Sequence, residues 1–230
     1  MKKYIVATSA LLVIATSAFS QGFVNFSGGA NAATRISTNS VPGGASTGLT
    51  TATAGLYYYA LFASSTQTSV AGQTTAISGT STKYVFDNSS GWTLVGIAAN
   101  TASYGRFAPL TQGSTSANQT ALNADNSLTV QGIAGAATAN FVCIGWSANI
   151  GSTLAELIAW YDNGGPQGWL GQSGIATIAL GDGGNTQTSN PFGTGVGQVG
   201  GFTLGVVPEP GTMALAALGG ASLLLFRRRK

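Results

Sequence analysis

The chain has 230 residues, 44% of them hydrophobic and only 7% charged, against about 25% charged in a typical soluble domain. With no histidine and a single cysteine, it has no Ser-His-Asp triad, no Cys-His dyad, no histidine zinc site and no internal disulfide. The formal net charge of +3 is misleading. Lys2, Lys3, Arg227, Arg228, Arg229 and Lys230 sit at the two ends, and between them Arg35, Lys83 and Arg106 face Asp87, Asp125, Glu156, Asp162, Asp182 and Glu209. A mildly acidic body with three scattered cations cannot neutralise a phosphate backbone, which excludes nucleic acid as a partner.

The N-terminus opens Met1-Lys2-Lys3 and continues as an apolar run from Tyr4 to Phe19. Ala18 and Ser20 place small residues at −3 and −1 of a cut between Ser20 and Gln21. Charged start, apolar middle and small-residue exit are the parts of a secretory signal. Residues 1–20 are therefore expected to be a signal peptide and the body to be exported; the alternative is an uncleaved anchor.

Residues 21–207 are long enough for one extracytoplasmic domain. Strand character appears at Phe23–Phe26, Leu56–Phe62, Lys83–Asp87, Trp92–Ala98, Leu128–Gln131, Phe141–Trp146, Ile175–Leu180 and Phe202–Val206. In the Lys83–Asp87 stretch Tyr84 and Phe86 share a face, and in Ile175–Leu180 so do Ala176, Ile178 and Leu180. Leu56–Phe62 and Phe141–Trp146 are apolar on both faces. Short strands separated by Gly, Asn, Ser and Thr predict an all-β fold, a β-sandwich or jelly roll. The 28 Thr residues suit exposed strand faces.

One helix is predicted. Thr153-Leu-Ala-Glu156 has the capping-box pattern. Leu154, Leu157, Ile158 and Tyr161 then form one apolar stripe, and Asn163-Gly164-Gly165-Pro166 ends it. The Gly-Ser-Thr stretches at 40–53, 64–82 and 111–127 read as long loops.

Candidate chemistry in the body is sparse. Glu156 and Asp162 lie beside Trp160, Tyr161 and Trp169, and a glycosidase needs two carboxylates, often with aromatic platforms. The plainer reading makes Glu156 a cap acceptor and Asp162 a helix-end residue. Cys143 lies in an apolar strand with no histidine to activate it, so a buried small hydrophobe is expected. Gly181–Asn185 and Asn123–Ser127 offer oxygen ligands but lack the twelve-residue calcium-loop pattern, and read as turns. Asn25, Asn88 and Asn118 each open an N-glycosylation tripeptide. Tyr57, Tyr58, Tyr59, Trp92, Trp146, Trp160 and Trp169 could stack on glycans, although strand and helix positions favour core filling.

The C-terminus reads Pro208-Glu209-Pro210-Gly211, then Thr212–Phe226, then Arg227-Arg228-Arg229-Lys230. As a helix, Thr212–Phe226 would be about 22 Å long, short of the ~30 Å hydrocarbon core. The terminal cations can snorkel to the far headgroups and keep that end cytoplasmic. Both prolines favour extended backbone at the tripeptide.

Pro-Glu-Pro, a short apolar helix and a terminal arginine cluster in that order, behind an N-terminal signal, resemble the PEP-CTERM sorting signal of bacterial exported proteins. The resemblance covers residues 208–230 and implies a route. The tail (transmembrane helix 212–226, cytoplasmic end 227–230) holds the protein in the inner membrane until an exosortase, a membrane protease, recognises the tripeptide and removes it. The opening Gln21–Phe26 and the exit Gly201–Pro210 are also similar to a subset of these proteins, a likeness that carries no activity.

Together these readings lead to a non-catalytic exported surface or extracellular-matrix protein without cofactor or metal. Its hydroxyl-rich body would embed in, or adhere to, extracellular polysaccharide. The alternatives are a secreted carbohydrate-active enzyme, favoured if Glu156 or Asp162 meets a second acid in a cleft, and a glycan-binding module, favoured by an exposed pair of tryptophans.

Overall fold

The structure is a computed structural model and describes residues 21–40, 45–70, 84–86, 91–109, 127–183 and 188–207. The signal segment, the Pro-Glu-Pro tripeptide and the apolar and basic tail lie outside the described residues.

The longest apolar runs become the centre of one large sheet. β4 (Tyr57–Ser64) pairs antiparallel along its whole length with β8 (Thr138–Ser147) and on its other side with β5 (Thr93–Asn100). Both runs are apolar on both faces because both faces are covered, which removes the polar alternation of a half-solvated strand. Tyr59, Leu61, Ala63, Phe141 and Cys143 enter one core, and Ala60, Phe62, Val142, Ile144 and Trp146 enter the other.

The first core is covered by a ribbon of β1 (Gln21–Val24) and β7 (Leu128–Ala134), which brings in Val24, Leu128 and Val130, and by Phe192 and Phe202. The second is covered by helix α1 (Leu154–Asn163) through Leu157 and Trp160, and by Val70, Tyr84, Val85 and Trp92.

Five further strands extend the sheet on the far side of β8. β9 (Gly168–Gln172) and β10 (Ala176–Ala179) both pair with β8, one after the other. The change-over falls at Ser173, whose amide donates to the Cys143 carbonyl at 2.8 Å and whose hydroxyl accepts from the Cys143 amide at 2.9 Å. β11 (Thr203–Val207) pairs with β9, then parallel with β2 (Ser37–Thr38), which pairs with β3 (Gly48–Leu49). The strand order is β3-β2-β11-β9-β8-β4-β5-β6, with β6 being Phe107–Pro109. The sheet curls until its two ends meet: the Gly105 amide, just before β6, donates to the Thr50 carbonyl at 3.0 Å, and the Ile36 amide donates to the Gly105 carbonyl at 2.9 Å.

The all-β expectation with one helix therefore holds. Ala176, Ile178 and Leu180 do share one face, all three in the first core. The helix starts as its cap predicts: Thr153 Oγ1 accepts from the Glu156 amide at 3.2 Å, and Glu156 Oε2 accepts from the Thr153 amide at 2.9 Å. It stops at Gly164 in the left-handed region (φ 61°). One strand is corrected. Of Lys83–Asp87, the described Tyr84–Phe86 form a turn, not a strand. The Val85 amide donates 2.8 Å to the Gln172 side chain rather than to a neighbouring strand, and the Tyr84 and Phe86 rings stack at 5.4 Å.

Candidate functional site

The last strand and the tail meet with no intervening linker. β11 is held on both sides, by β9 at Gly205↔Leu170, Val206↔Trp169 and Val207↔Gly168, and by the segment through Asn39. Asn39 is buried; its Oδ1 accepts from the Val206 amide at 2.8 Å, its amide donates to the Leu204 carbonyl at 3.1 Å, and its carbonyl accepts from Trp169 Nε1 at 3.0 Å. Val207 is thus the final paired residue among the described residues, and Pro208 follows it directly. Pro208, Glu209, Pro210, Arg227, Arg228, Arg229, Lys230 and Ser20 lie outside the described residues. Gln21 opens β1, opposite Ala134.

The candidate acid of the body is engaged in the helix cap. Glu156 Oε2 accepts from the Ser152 amide at 2.7 Å as well as from the Thr153 amide and hydroxyl. Hydrogen bonds from Ser152, then Thr153, hold its carboxyl below the usual range although it is fully solvated. Asp162 is exposed in the last helical turn. A cleft of about 160 Å³ opens between β4, β5 and β7, lined by Ser64, Ser65, Thr93, Gln131 and apolar neighbours, with no carboxylate lining it among the described residues.

The tryptophans act as pegs. Trp146 Nε1 donates to the Gly151 carbonyl and Trp160 Nε1 to the Pro166 carbonyl, both at 2.8 Å; Trp169 is tied to Asn39, and Trp92 is buried. Each buried indole with a carbonyl partner satisfies its one donor, and no pair of exposed tryptophans forms among the described residues. Trp160 faces the core more deeply than Tyr161, which packs edge-on against Tyr84 and Phe86 at the half-buried margin. Tyr59 is fully buried and stacks on Phe107 at 4.6 Å, Tyr58 packs near Trp146, and partial burial raises the Tyr57 phenol.

Cys143 is completely buried, and burial pushes its thiol well up, the opposite of what a nucleophile requires. Gly181 exchanges backbone bonds with Phe23 at 2.9 Å in both directions, which makes it a sheet bridge. Asn185 and Asn123–Asn126 lie outside the described residues, as do Asn88 and Asn118. Asn25 is half-buried in the loop after β1.

The closure of the sheet brings together segments that are distant in sequence. Arg35 and Arg106 are the only cations among the described residues. The sheet closure at Gly105 packs Arg35 against that glycine: a Cβ on Gly105 would lie 2.9 Å from Arg35 Cβ, and Arg106 is the next residue in the chain. Gly105 has φ +68°, a conformation that glycine adopts without a Cβ penalty. On its other side is Tyr104, 62% exposed. The Arg106 stem lies over Gly29, where a Cβ would sit 2.7 Å from Arg106 Cγ.

No helix among the described residues is long and apolar enough to cross a membrane. No curated protein and no solved structure matches the chain. Residues 206–230 match the PEP-CTERM protein-sorting motif, which begins inside β11 at Val206. The chain therefore carries at its C-terminus the mark of an exported, envelope-sorted protein that an exosortase handles in the membrane.

Proposed function

We propose that this protein is a non-catalytic component of the cell surface or extracellular matrix, delivered as a folded β body and freed from its tail by an exosortase. The observation that carries the reading is the junction. Among the described residues the last sheet-paired one is Val207, and the tripeptide starts at Pro208, so a cut at or beyond the tripeptide leaves every described strand of the sheet in the released product.

The lack of catalytic capacity is supported by how the candidate groups are used. Glu156 is a cap, Cys143 is sealed in the core and the indoles are structural pegs. The body then offers a sparsely charged, hydroxyl-rich surface, which places little charge against a polysaccharide.

Intact masses from membrane and medium fractions of the native host test the reading. The expected released species lacks residues 1–20 and everything beyond the Pro-Glu-Pro region. A protein that keeps Arg227–Lys230 in every fraction would make the tail a permanent anchor and overturn the released-body reading.

A further inference from the structure

We propose that Asn39 is a clasp that sets the rate of the exosortase step: the tail is cut only from molecules in which Val206 and Val207 have peeled away from the sheet. The inference rests on the reading of the tail as an exosortase substrate and names the residue of the body that governs that step.

The sorting motif and the fold overlap. The motif begins at Val206, yet Val206 and Val207 are the last residues of β11. On one side they pair with Trp169 and Gly168 of β9. On the other side the ladder to β2 ends at Leu204↔Thr38, and Asn39 takes over from there. Its side-chain oxygen accepts from the Val206 amide at 2.8 Å, and its own amide donates to the Leu204 carbonyl at 3.1 Å. Its carbonyl accepts from Trp169 Nε1 at 3.0 Å, so one residue is tied to both β11 and β9. Asn39 is 1% exposed and Val206 3%, and Val207 packs against the second core.

A protease cuts backbone that its own site can hold, so a paired and buried strand is cut only after it opens locally. Only residues 208–211 stand between Val207 and the apolar segment that starts at Thr212. Fully extended, four residues span at most about 14 Å. A membrane protease that grips the chain on both sides of a bond at the tripeptide therefore draws on Val206 and Val207. Where opening and reclosing are fast relative to cleavage, the rate of cutting follows the population of the open form. Asn39 keeps that population low, because it gives the Val206 amide a buried acceptor that only the closed form offers. After the cut the two residues return to the sheet.

The test follows loss of the tail from the full chain in the native host, by pulse-chase and intact mass. Asn39→Ala strands the Val206 amide in the closed form alone, so tail loss should run about tenfold faster or more. Amide exchange at Val206, measured on the full chain in a nonionic detergent, should quicken by a similar factor. Leu157→Ala truncates a fully buried helix residue and destabilises the body at least as much, but alters no hydrogen bond to β11; it should keep the parent's rate. Trp169→Phe keeps a ring on β9 and removes the donor to the Asn39 carbonyl. It should give a smaller acceleration, and it carries the test if Asn39→Ala does not accumulate. Tail loss at the parent's rate in Asn39→Ala and Trp169→Phe overturns the clasp, as does an equal acceleration by Leu157→Ala. If the parent keeps its tail, the sorting reading fails and the clasp with it. If the parent loses its tail and the Asn39 and Trp169 variants do so no faster, the clasp fails alone.

Discussion

Asn39→Ala tests whether the strand beside the sorting motif is locked by the hydrogen bonds that surround it. The side chain supplies the acceptor for the Val206 amide at 2.8 Å, and both residues are buried. Truncation leaves that amide with no acceptor from this side, and a stranded buried donor costs about 1–3 kcal/mol. The site cannot collapse to compensate. The Asn39 backbone remains pinned by its own bonds to Leu204 and Trp169 Nε1, which the substitution does not touch. The cost should therefore fall in the upper part of that range, about 2–3 kcal/mol. At about 2–4 °C per kcal/mol for a domain of this size, the thermal midpoint should drop by roughly 4–12 °C. Circular dichroism measures the midpoint, and amide exchange at Val206 locates the damage, which should be largest there. The near-UV signal of Trp169 should persist below the transition. A midpoint within about 1 °C of the parent, or exchange that accelerates first in β4 or β8, would refute the reasoning.

Thr153→Ala removes the helix cap and should cost about 1 kcal/mol, a midpoint shift of about 2–4 °C, readable in the same melts. Hydrogen bonds from Ser152 and Thr153 hold the Glu156 carboxyl down; its stabilisation is present above its unfolded-state pKa of about 4.3 and is lost as pH falls through the lower folded value. Glu156→Gln should accordingly flatten the acid limb of the stability curve, and an unchanged limb would count against the cap. Cys143, fully buried with its thiol pushed up, should react with a disulfide reagent only as fast as the body opens, so rapid stoichiometric labelling of the native protein would contradict its place in the core. Gly145→Ala puts a Cβ 2.8 Å from Tyr59 Cδ1 and 2.9 Å from Leu204 Cδ2, an overpacking that should cost about 1–3 kcal/mol in chemical unfolding; a stabilised variant would show that this packing is looser than the distances indicate.

Local signals located most of the elements. The uninterrupted apolar runs at Leu56–Phe62 and Phe141–Trp146 became the doubly buried centre of the sheet, because only a strand covered on both faces tolerates apolar residues on both. The capping box at Thr153 and the glycine stop at Gly164 each depend on groups a few residues apart, and both formed as read. β9 escaped notice because Gly168 and Gly171 erase its alternation. The reason for Gly171 is a neighbour distant in sequence: a Cβ there would strike the Thr203 carbonyl of β11. The segment around Tyr84 and Phe86 has strand-like spacing, yet Gln172 captures the Val85 amide and the two rings stack across a turn. Alternation puts two side chains on one side in either conformation, so it could not tell them apart.

By itself, then, the sequence determined the C-terminal sorting motif, the β character of the body and the helix after Thr153, since each rests on composition or on contacts within a few residues. It also showed a chain with no histidine and one cysteine, but not where the remaining charges go. In the sequence Arg35 and Arg106 are isolated cations. That Arg35 packs beside Gly105, the residue before Arg106, depends on how far the sheet curls, on the register that brings Thr50 and Ile36 to Gly105, and on a left-handed glycine at the point of closure. These are properties of strand pairing between distant segments, which no local pattern encodes, and only the tertiary structure decided them.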